Sequence, residues 1–245
     1  MKNSCITQAK RKKDKNSKVE NVSVVLLYDK EFIKIKSCTS TPLLSLGRNI
    51  RIIDYHINFA NRNFKNPEIV VCLGQDSVSV IEYLQQRYKN KPVRVVENIN
   101  YNQTNTCEGL RISLNNVVND NVFVISSLTI PVNISFKQNN STKIYLKNEE
   151  SKQEIGANIN EKNKVELMSF AAKNSWYEMM WITDKKSLSV MRKLLLTNNY
   201  KKRCWFELIN DMIEKKVKID YEYLDDNCLK IKKPKDYKTL NGEIQ

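Results

Sequence analysis

One segment of the sequence reads EIVVCLGQDSVSVIEYLQQRYKNKPVRVVEN (residues 68–98), and its hydrophobic pattern changes twice. Residues 68–74 form a short apolar, β-branched run, which is typical of a buried strand. Apolar residues then recur at helical spacing over 77–90, and residues 93–98 return to the strand pattern. A strand, a helix and a second strand joined by short connections predict parallel strands linked through a helix.

The same alternation continues on both sides of this segment. Residues 22–28 (VSVVLLY) and 121–127 (NVFVISS) have the pattern of buried strands. Residues 47–63 and 104–118 have the spacing of helices, and Asn105 followed by Glu108 resembles a capping box. This half predicts an α/β fold with a mostly parallel, Rossmann-like sheet and helices on both faces.

The second half of the chain has a different character. Residues 143–183 are predicted to form several strands with few helices between them. Helices are predicted near 185–198 and 204–215, and the final strands over 217–223 and 228–232. No linker rich in Gly, Pro or Ser separates the two halves, since the chain has only 5 Gly and 5 Pro. We therefore expect a mixed second half within one domain that spans residues 21–245.

The first 20 residues are polar and basic. They lack the periodic apolar residues that a core requires, so residues 1–20 are predicted to be a disordered basic arm. The cluster Lys10, Arg11, Lys12 and Lys13 is a candidate nucleic-acid-binding or nuclear-localisation patch. A flexible tail without such a role remains an equal alternative.

Composition narrows the class of protein. Lys and Arg total 41 against 27 Asp and Glu, giving a formal charge of +14, which suits either polyanionic partners or a solvated lysine-rich surface. The six cysteines form no CxxC pair and there is one histidine, so a structural zinc site is not expected. No apolar run approaches the roughly 20 residues that cross a bilayer. A soluble, intracellular, cytoplasmic protein without membrane partners is predicted.

The segment NINYNQTNTCEGLRISLNN (98–116) resembles the small nucleotidylyltransferases that activate sugar phosphates or phosphocholine. Residues 41–57, 205–211 and 229–240 resemble further family segments in the same order, so the resemblance covers about residues 22–240. It implies a nucleotide-diphospho-sugar transferase-like (GT-A-like) fold and a nucleotide or sugar-nucleotide ligand. The positions that match the family at 98–116 are Asn100, Tyr101, Thr104 and Asn105.

The sequence departs from the family where the family carries its chemistry. Residues 26–42 contain neither the glycines nor the arginine of the family's phosphate loop. Ser126 or Ser127 stands where the family has a Mg²⁺-binding Asp, and Lys232 stands in place of the second such Asp. Because Mg²⁺ requires hard oxygen ligands, the departures predict a degenerate, catalytically inactive member, or pseudoenzyme.

The resemblance and the lysines of the altered loop together give a set of candidate nucleotide-binding residues. The set comprises Lys30, Lys34, Tyr101, Thr104, Asn105, Ser126 and Lys232. No catalytic or metal-binding residue is assigned. Mg²⁺ is predicted as a cofactor only if the protein is active. The aromatic-rich region around Trp176 and Trp205 is interpreted as core or interface packing, with base stacking as the alternative.

Three functional hypotheses follow. The first is an inactive nucleotidylyltransferase-like protein that binds a nucleotide or serves as a structural component with protein partners. The second is an active enzyme that transfers a nucleoside monophosphate to a sugar phosphate or phosphocholine, with Asp29, Glu31 and Asp236 as replacement carboxylates. The third is a basic protein associated with nucleic acid, with which the net charge agrees.

Overall fold

A computed structural model describes most of the chain. The described residues are 18–29, 40–46, 50–132, 134, 136, 141–231 and 236. Several predicted ligand-binding residues lie outside this part: Lys10, Arg11, Lys12, Lys13, Lys30, Lys34 and Lys232. Within the described part, no helix is long and apolar enough to span a membrane.

The described part contains thirteen strands and five α-helices. The strands are β1 (Val19–Glu20), β2 (Val22–Tyr28), β3 (Phe64–Lys65), β4 (Glu68–Leu73), β5 (Val93–Glu97), β6 (Asn121–Ser126), β7 (Thr129–Pro131), β8 (Lys143–Lys147), β9 (Ile155–Ile159), β10 (Val165–Phe170), β11 (Asn174–Ile182), β12 (Asp220–Tyr223) and β13 (Cys228–Lys230). The helices are α1 (Ile52–Asn63), α2 (Ser77–Arg87), α3 (Thr106–Leu114), α4 (Lys185–Leu195) and α5 (Trp205–Glu214). Short 3-10 helices cover Thr41–Leu43, Asn198–Lys202 and Asp225–Asn227.

Nine of these strands form one central sheet. Seven follow the order β10-β9-β11-β6-β2-β4-β5, while β8 pairs with β11, and β12 pairs with β8. The strands β6, β2, β4 and β5 are parallel to one another, and β11 runs antiparallel to β6. The predicted fold class, a mostly parallel α/β sheet with a mixed second half, is therefore confirmed.

The sheet is buried because helices cover both of its faces. All seven residues of β2 are buried. Val24 and Leu26 belong to the core beneath α1 and α2, whereas Val25 and Leu27 belong to the core beneath α3, α4 and α5. This explains why the parallel strands are continuous apolar runs rather than alternating ones.

The predicted helix boundaries were too wide. The helix expected over 47–63 begins at Ile52, and the one expected over 104–118 ends at Leu114. Asn105 is the N-cap of α3, as predicted, since its Oδ1 accepts from the amide of Thr106 at 2.8 Å. Glu108 does not complete a capping box, because its carboxylate forms an ion pair with Arg111 at 2.7 Å.

The order of the parallel strands places a crevice at a defined point. The chain moves outward from β2 to β4 and β5, and then returns to β6 on the opposite side of β2. In open α/β sheets ligands bind beyond the carboxyl ends of the strands, where the order reverses. Here that point lies between the ends of β2 and β6, next to Asp29 and Ser127.

Candidate ligand-binding site at the carboxyl edge of the sheet

Asp29 follows β2 directly and is buried at the carboxyl edge of the sheet. Its Oδ2 accepts from Nδ2 of Asn98 at 3.2 Å, and Asn98 directly follows β5. A Cβ on Gly109 would lie 2.7 Å from Oδ1 of Asp29 and closer still to the rest of the carboxylate. Helix α3 therefore packs onto the Asp29 carboxylate only because residue 109 has no side chain.

The loop between β5 and α3 is held by two of the residues that the sequence singled out. Thr104 Oγ1 donates to the carbonyl of Asn100 at 2.9 Å and accepts from Nδ2 of Asn98 at 3.0 Å. The amide of Tyr101 donates to the carbonyl of Asn98 at 3.1 Å, and its half-buried side chain packs above Gly74, where a Cβ would lie 2.9 Å from that of Tyr101. Thr104 and Tyr101 are thus brought to the same edge as Asp29.

Asn105 connects two helices. Besides capping α3, its Nδ2 donates to Sγ of Cys204 at 3.1 Å, and its amide donates to the carbonyl of Lys201 at 2.7 Å. Trp205 then donates its amide to Oγ1 of Thr106 at 3.1 Å. These bonds fix the start of α5 against the start of α3, so the side chain of Asn105 acts in positioning the two helices.

Two serines end β6 at the switch point. Ser126 pairs with Leu27 of β2, and the amide of Ser127 donates to the carbonyl of Leu27 at 3.0 Å. Both side chains are buried and carry hydroxyls rather than carboxylates. No group of three His, Cys, Asp or Glu residues that could hold a metal ion occurs in the described part of the chain. The donors present at the end of β6 therefore do not fit Mg²⁺.

A cavity of about 540 Å³ opens beside this edge. It reaches from Thr106 at the start of α3 and Leu128 just after β6 to the mixed part of the sheet. Its aromatic walls come from Phe170, Trp176, Trp205 and Phe206. The rings of Trp176 and Trp205 lie 4.5 Å apart, and those of Phe170 and Phe206 meet edge to face at 5.9 Å. This volume lies in the range of small-molecule sites.

Three charged side chains of the described residues also line the cavity. Nζ of Lys230 lies 2.7 Å from Oε1 of Glu178 and 4.0 Å from Oε1 of Glu154, and it donates to the carbonyl of Trp176 at 3.3 Å. Carboxylates and an ammonium group thus stand among the aromatic rings of the cavity wall. An organic cation is attracted by the faces of aromatic rings and by carboxylates, so the lining suits such a ligand.

A bulge in β11 places Glu178 in this cavity. The pairing of β11 with β8 shifts register between Trp176 and Met180, and Glu178 has a left-handed backbone with φ of 54°. Tyr177 holds the bulge from both ends, since its carbonyl accepts from the hydroxyl of Thr129 and its own hydroxyl donates to the carbonyl of Asp225 at 2.6 Å. A left-handed non-glycine residue within a strand is costly, and bulges of this kind occur next to binding sites.

The structure thus gathers Asp29, Tyr101, Thr104, Asn105 and Ser126 at one edge. The sequence interpretation missed Asn98, whose amide connects Asp29 to the loop. It also missed the charged residues of the cavity, and it treated the tryptophans as packing alone or as stacking platforms. The sequence did contain one signal of the contact between α3 and Asp29. Gly109 stands inside a helical pattern, where a glycine usually has a packing or functional reason.

Comparisons with known proteins agree with this geometry. No protein-family model matches the sequence, and neither does any curated protein sequence. A solved structure of CTP:phosphocholine cytidylyltransferase from Streptococcus pneumoniae is 18% identical and covers 92% of this chain and 100% of its own, with a TM-score of 0.73. A putative glucose-1-phosphate thymidylyltransferase from Bacillus anthracis is 14% identical, with coverages of 91% and 94% and a TM-score of 0.72.

A third similar structure is the inositol-1-phosphate CTP transferase from T. maritima. It is 12% identical and covers 92% of this chain and 96% of its own, with a TM-score of 0.70. At these identities the likeness concerns the fold. The chain has a nucleotidylyltransferase-like fold over almost its whole length, as the resemblance implied.

Proposed function

We propose that this protein binds a nucleotide or a nucleotide-linked ligand at the carboxyl edge of its sheet and does not catalyse Mg²⁺-dependent nucleotidyl transfer. One observation carries the proposal. A small-molecule cavity opens beside the switch point, while the strand that ends there, β6, carries the hydroxyls of Ser126 and Ser127 in place of carboxylates. This edge retains room for a ligand, and in the described part of the chain the end of β6 offers no carboxylate to a metal ion.

The similar structures support a nucleotide as one part of the ligand. Two of them are named for CTP, and the CTP:phosphocholine enzyme also for phosphocholine, which carries an organic cation. The aromatic walls and the carboxylate of Glu178 suit a group of that charge. We therefore propose that the nucleotide lies over Tyr101, Thr104 and Ser126 and that a small cationic group enters the cavity. Asn105, Lys30, Lys34 and Lys232 remain proposed nucleotide contacts from the sequence.

The proposal that the protein is catalytically inactive rests on the charge that the reaction places on the phosphates. Nucleotidyl transfer to a sugar phosphate or phosphocholine releases pyrophosphate, and metal ions held by carboxylates ordinarily neutralise the charge that develops on the phosphates. Asp29 is the carboxylate next to the switch point, but it is buried against Gly109 and accepts from Asn98. This placement argues against the active alternative, in which Asp29 would act with Glu31 and Asp236.

The test is a pyrophosphate-release assay. The full chain is incubated with each of the four ribonucleoside triphosphates, Mg²⁺, and either glucose 1-phosphate or phosphocholine. We expect release no faster than in the same mixture without protein. Mg²⁺-dependent release of pyrophosphate that requires the second substrate would overturn the proposal of inactivity. It would favour the hypothesis of an active nucleotidylyltransferase.

A further inference from the structure

A second concave site lies at the opposite, amino edge of the sheet. It is a depression of about 330 Å³ between the loops that precede β8, β10 and β12 and the start of α4. Because β11 runs antiparallel to β6, its end at Ile182 lies beside the start of β6 at Val122, and α4 follows directly. The depression is therefore separated from the carboxyl-edge cavity by the length of the sheet.

Among the described residues, four lysines line this depression: Lys164, Lys186, Lys216 and Lys218. The two carboxylates among the same residues are already engaged within the protein. Asp184 accepts from the hydroxyl of Thr142 at 2.8 Å and from the amide of Ser187 at 2.7 Å, and Asp220 forms an ion pair with Lys164. Burial alone would raise the pKa of both carboxylates, but their hydrogen bonds and neighbouring charges together hold each pKa below its ordinary value.

The other three lysines have no acidic partner in the described part of the chain. Lys186, Lys216 and Lys218 are exposed and take part in none of its ion pairs. Lys216 even has a left-handed backbone, with φ of 63°, at the end of α5, a position where glycine is the usual residue. Three unpaired ammonium groups around one depression make a site for a ligand with several negative charges.

Other cations continue along the same edge. Lys18 precedes β1, which leads directly into the amino end of β2, and Lys89 and Lys91 lie just before β5. Four steps between paired strands separate the start of β2 from the start of β12 beside the depression, or about 19 Å at the usual strand spacing. The basic edge is thus long enough for an extended polyanion as well as a compact one.

We propose that the lysine depression binds phosphate groups of a polyanion at a site distinct from the carboxyl-edge cavity. The shared chemistry is a chain of phosphates, and its source is either a free oligophosphate or the backbone of a nucleic acid. The proposal does not depend on nucleotide binding at the other edge.

The experiment uses the full chain and two probes. Tripolyphosphate is titrated by calorimetry, and a labelled 20-nucleotide oligothymidylate by fluorescence anisotropy, each at several salt concentrations. The variant K186Q/K216Q/K218Q removes the unpaired ammonium groups. The control K173Q/K193Q/K202Q removes the same number of charges from exposed lysines outside the depression and the basic edge, none of which forms an ion pair in the described part of the chain.

We expect the wild-type chain to bind at least one probe, with the depression variant weakening that probe by about tenfold or more and the control changing it by less than about twofold. Binding of tripolyphosphate would identify a compact ligand. Binding of the oligonucleotide alone would identify an extended ligand, and that binding should depend steeply on salt.

The proposal is overturned if neither probe binds at 50 mM salt, or if both variants weaken binding equally. It is also overturned if binding survives in the depression variant and is lost on deletion of residues 1–17. Circular dichroism melting confirms that each variant is folded, and the pair K186Q/K218Q replaces the triple variant if Lys216 proves necessary for stability.

Discussion

The carboxylate of Asp29 lies in the space that a side chain at position 109 would occupy. A Cβ on Gly109 would meet Oδ1 of Asp29 at 2.7 Å, and its other carboxylate atoms at shorter distances still. This contact joins the end of β2 to the middle of α3, next to the switch point of the sheet. The geometry of the candidate site therefore depends on a buried acid and a glycine that fit one another.

The first prediction concerns that fit. Gly109→Ala should destabilise the protein by about 1–3 kcal/mol, because the overlap with Asp29 outweighs the roughly 1 kcal/mol that alanine gains over glycine in a helix. Urea unfolding measures the change. In the double variant with Asp29→Ala, part of the loss should be recovered. A Gly109→Ala protein as stable as the wild type would contradict the described packing.

The second prediction concerns acid stability. Burial lowers the pKa of His56 to about 4, and the ring is neutral, with Nε2 donating to the carbonyl of Thr129 at 2.7 Å and Nδ1 accepting from Tyr28 at 2.6 Å. The folded pKa lies below the ordinary value of 6.5, so the stabilising contribution is complete above about pH 6.5. It is lost as the pH falls towards 4, and amounts to about 3 kcal/mol.

His56 is the one histidine of the chain, so its effect can be separated from others. Unfolding free energies of the wild type and His56→Gln are compared at intervals from pH 7 to pH 4. The wild type should lose stability over this window more steeply than the variant. Parallel curves would show that His56 is not buried as a neutral group.

The third prediction concerns the contact between α1 and α2. Asp54 is fully buried and accepts from the hydroxyls of Tyr83 at 2.6 Å and Tyr88 at 2.7 Å, and Arg87 lies 3.1 Å away. Asp54→Asn should cost about 2–4 kcal/mol, because it removes the charge and one acceptor from a buried network. Tyr88→Phe should cost more than Tyr83→Phe, since Tyr88 is the more buried of the two. Equal costs for both tyrosines in urea unfolding would refute this ranking.

The fourth prediction concerns the aromatic cavity. Choline should quench or shift the fluorescence of Trp176 and Trp205, which line the cavity. Glu178→Gln should weaken the interaction by about fivefold to tenfold, because it removes a carboxylate from the cavity wall. The matched control is Glu166→Gln, an exposed residue of β10 outside the cavity. Equal weakening by both variants would attribute the effect to overall charge.

Much of the fold could be predicted from the sequence because the parallel strands are buried on both faces. Residues such as Val24 and Val25 are apolar for that reason, and the alternation of strands with helices gives the sheet its order. The cavity could not be predicted, because its members are scattered from Thr106 to Ile231 and meet only in the folded chain. The orientation of Glu178 depends on the bulge in β11, which no local sequence pattern predicts.

The residues of the candidate site could likewise be predicted only in part from the sequence. Thr104 and Tyr101 were predicted from a resemblance, and the structure places them at the expected edge. Asn105 was chosen for the same reason; its side chain joins α3 to α5 through Cys204, and its contact with a nucleotide stays a prediction. A motif in a sequence gives the neighbourhood of a residue, whereas its contacts decide whether it holds a ligand or the fold.

The most direct test of the central claim is a calorimetric titration of the full chain with nucleoside triphosphates, in the presence and absence of Mg²⁺. The claim is that the carboxyl edge binds a nucleotide without a metal site at the end of β6. We predict binding whose dissociation constant changes by less than about threefold when Mg²⁺ is removed. Binding that requires Mg²⁺, or no binding of any nucleotide in either condition, would contradict the account.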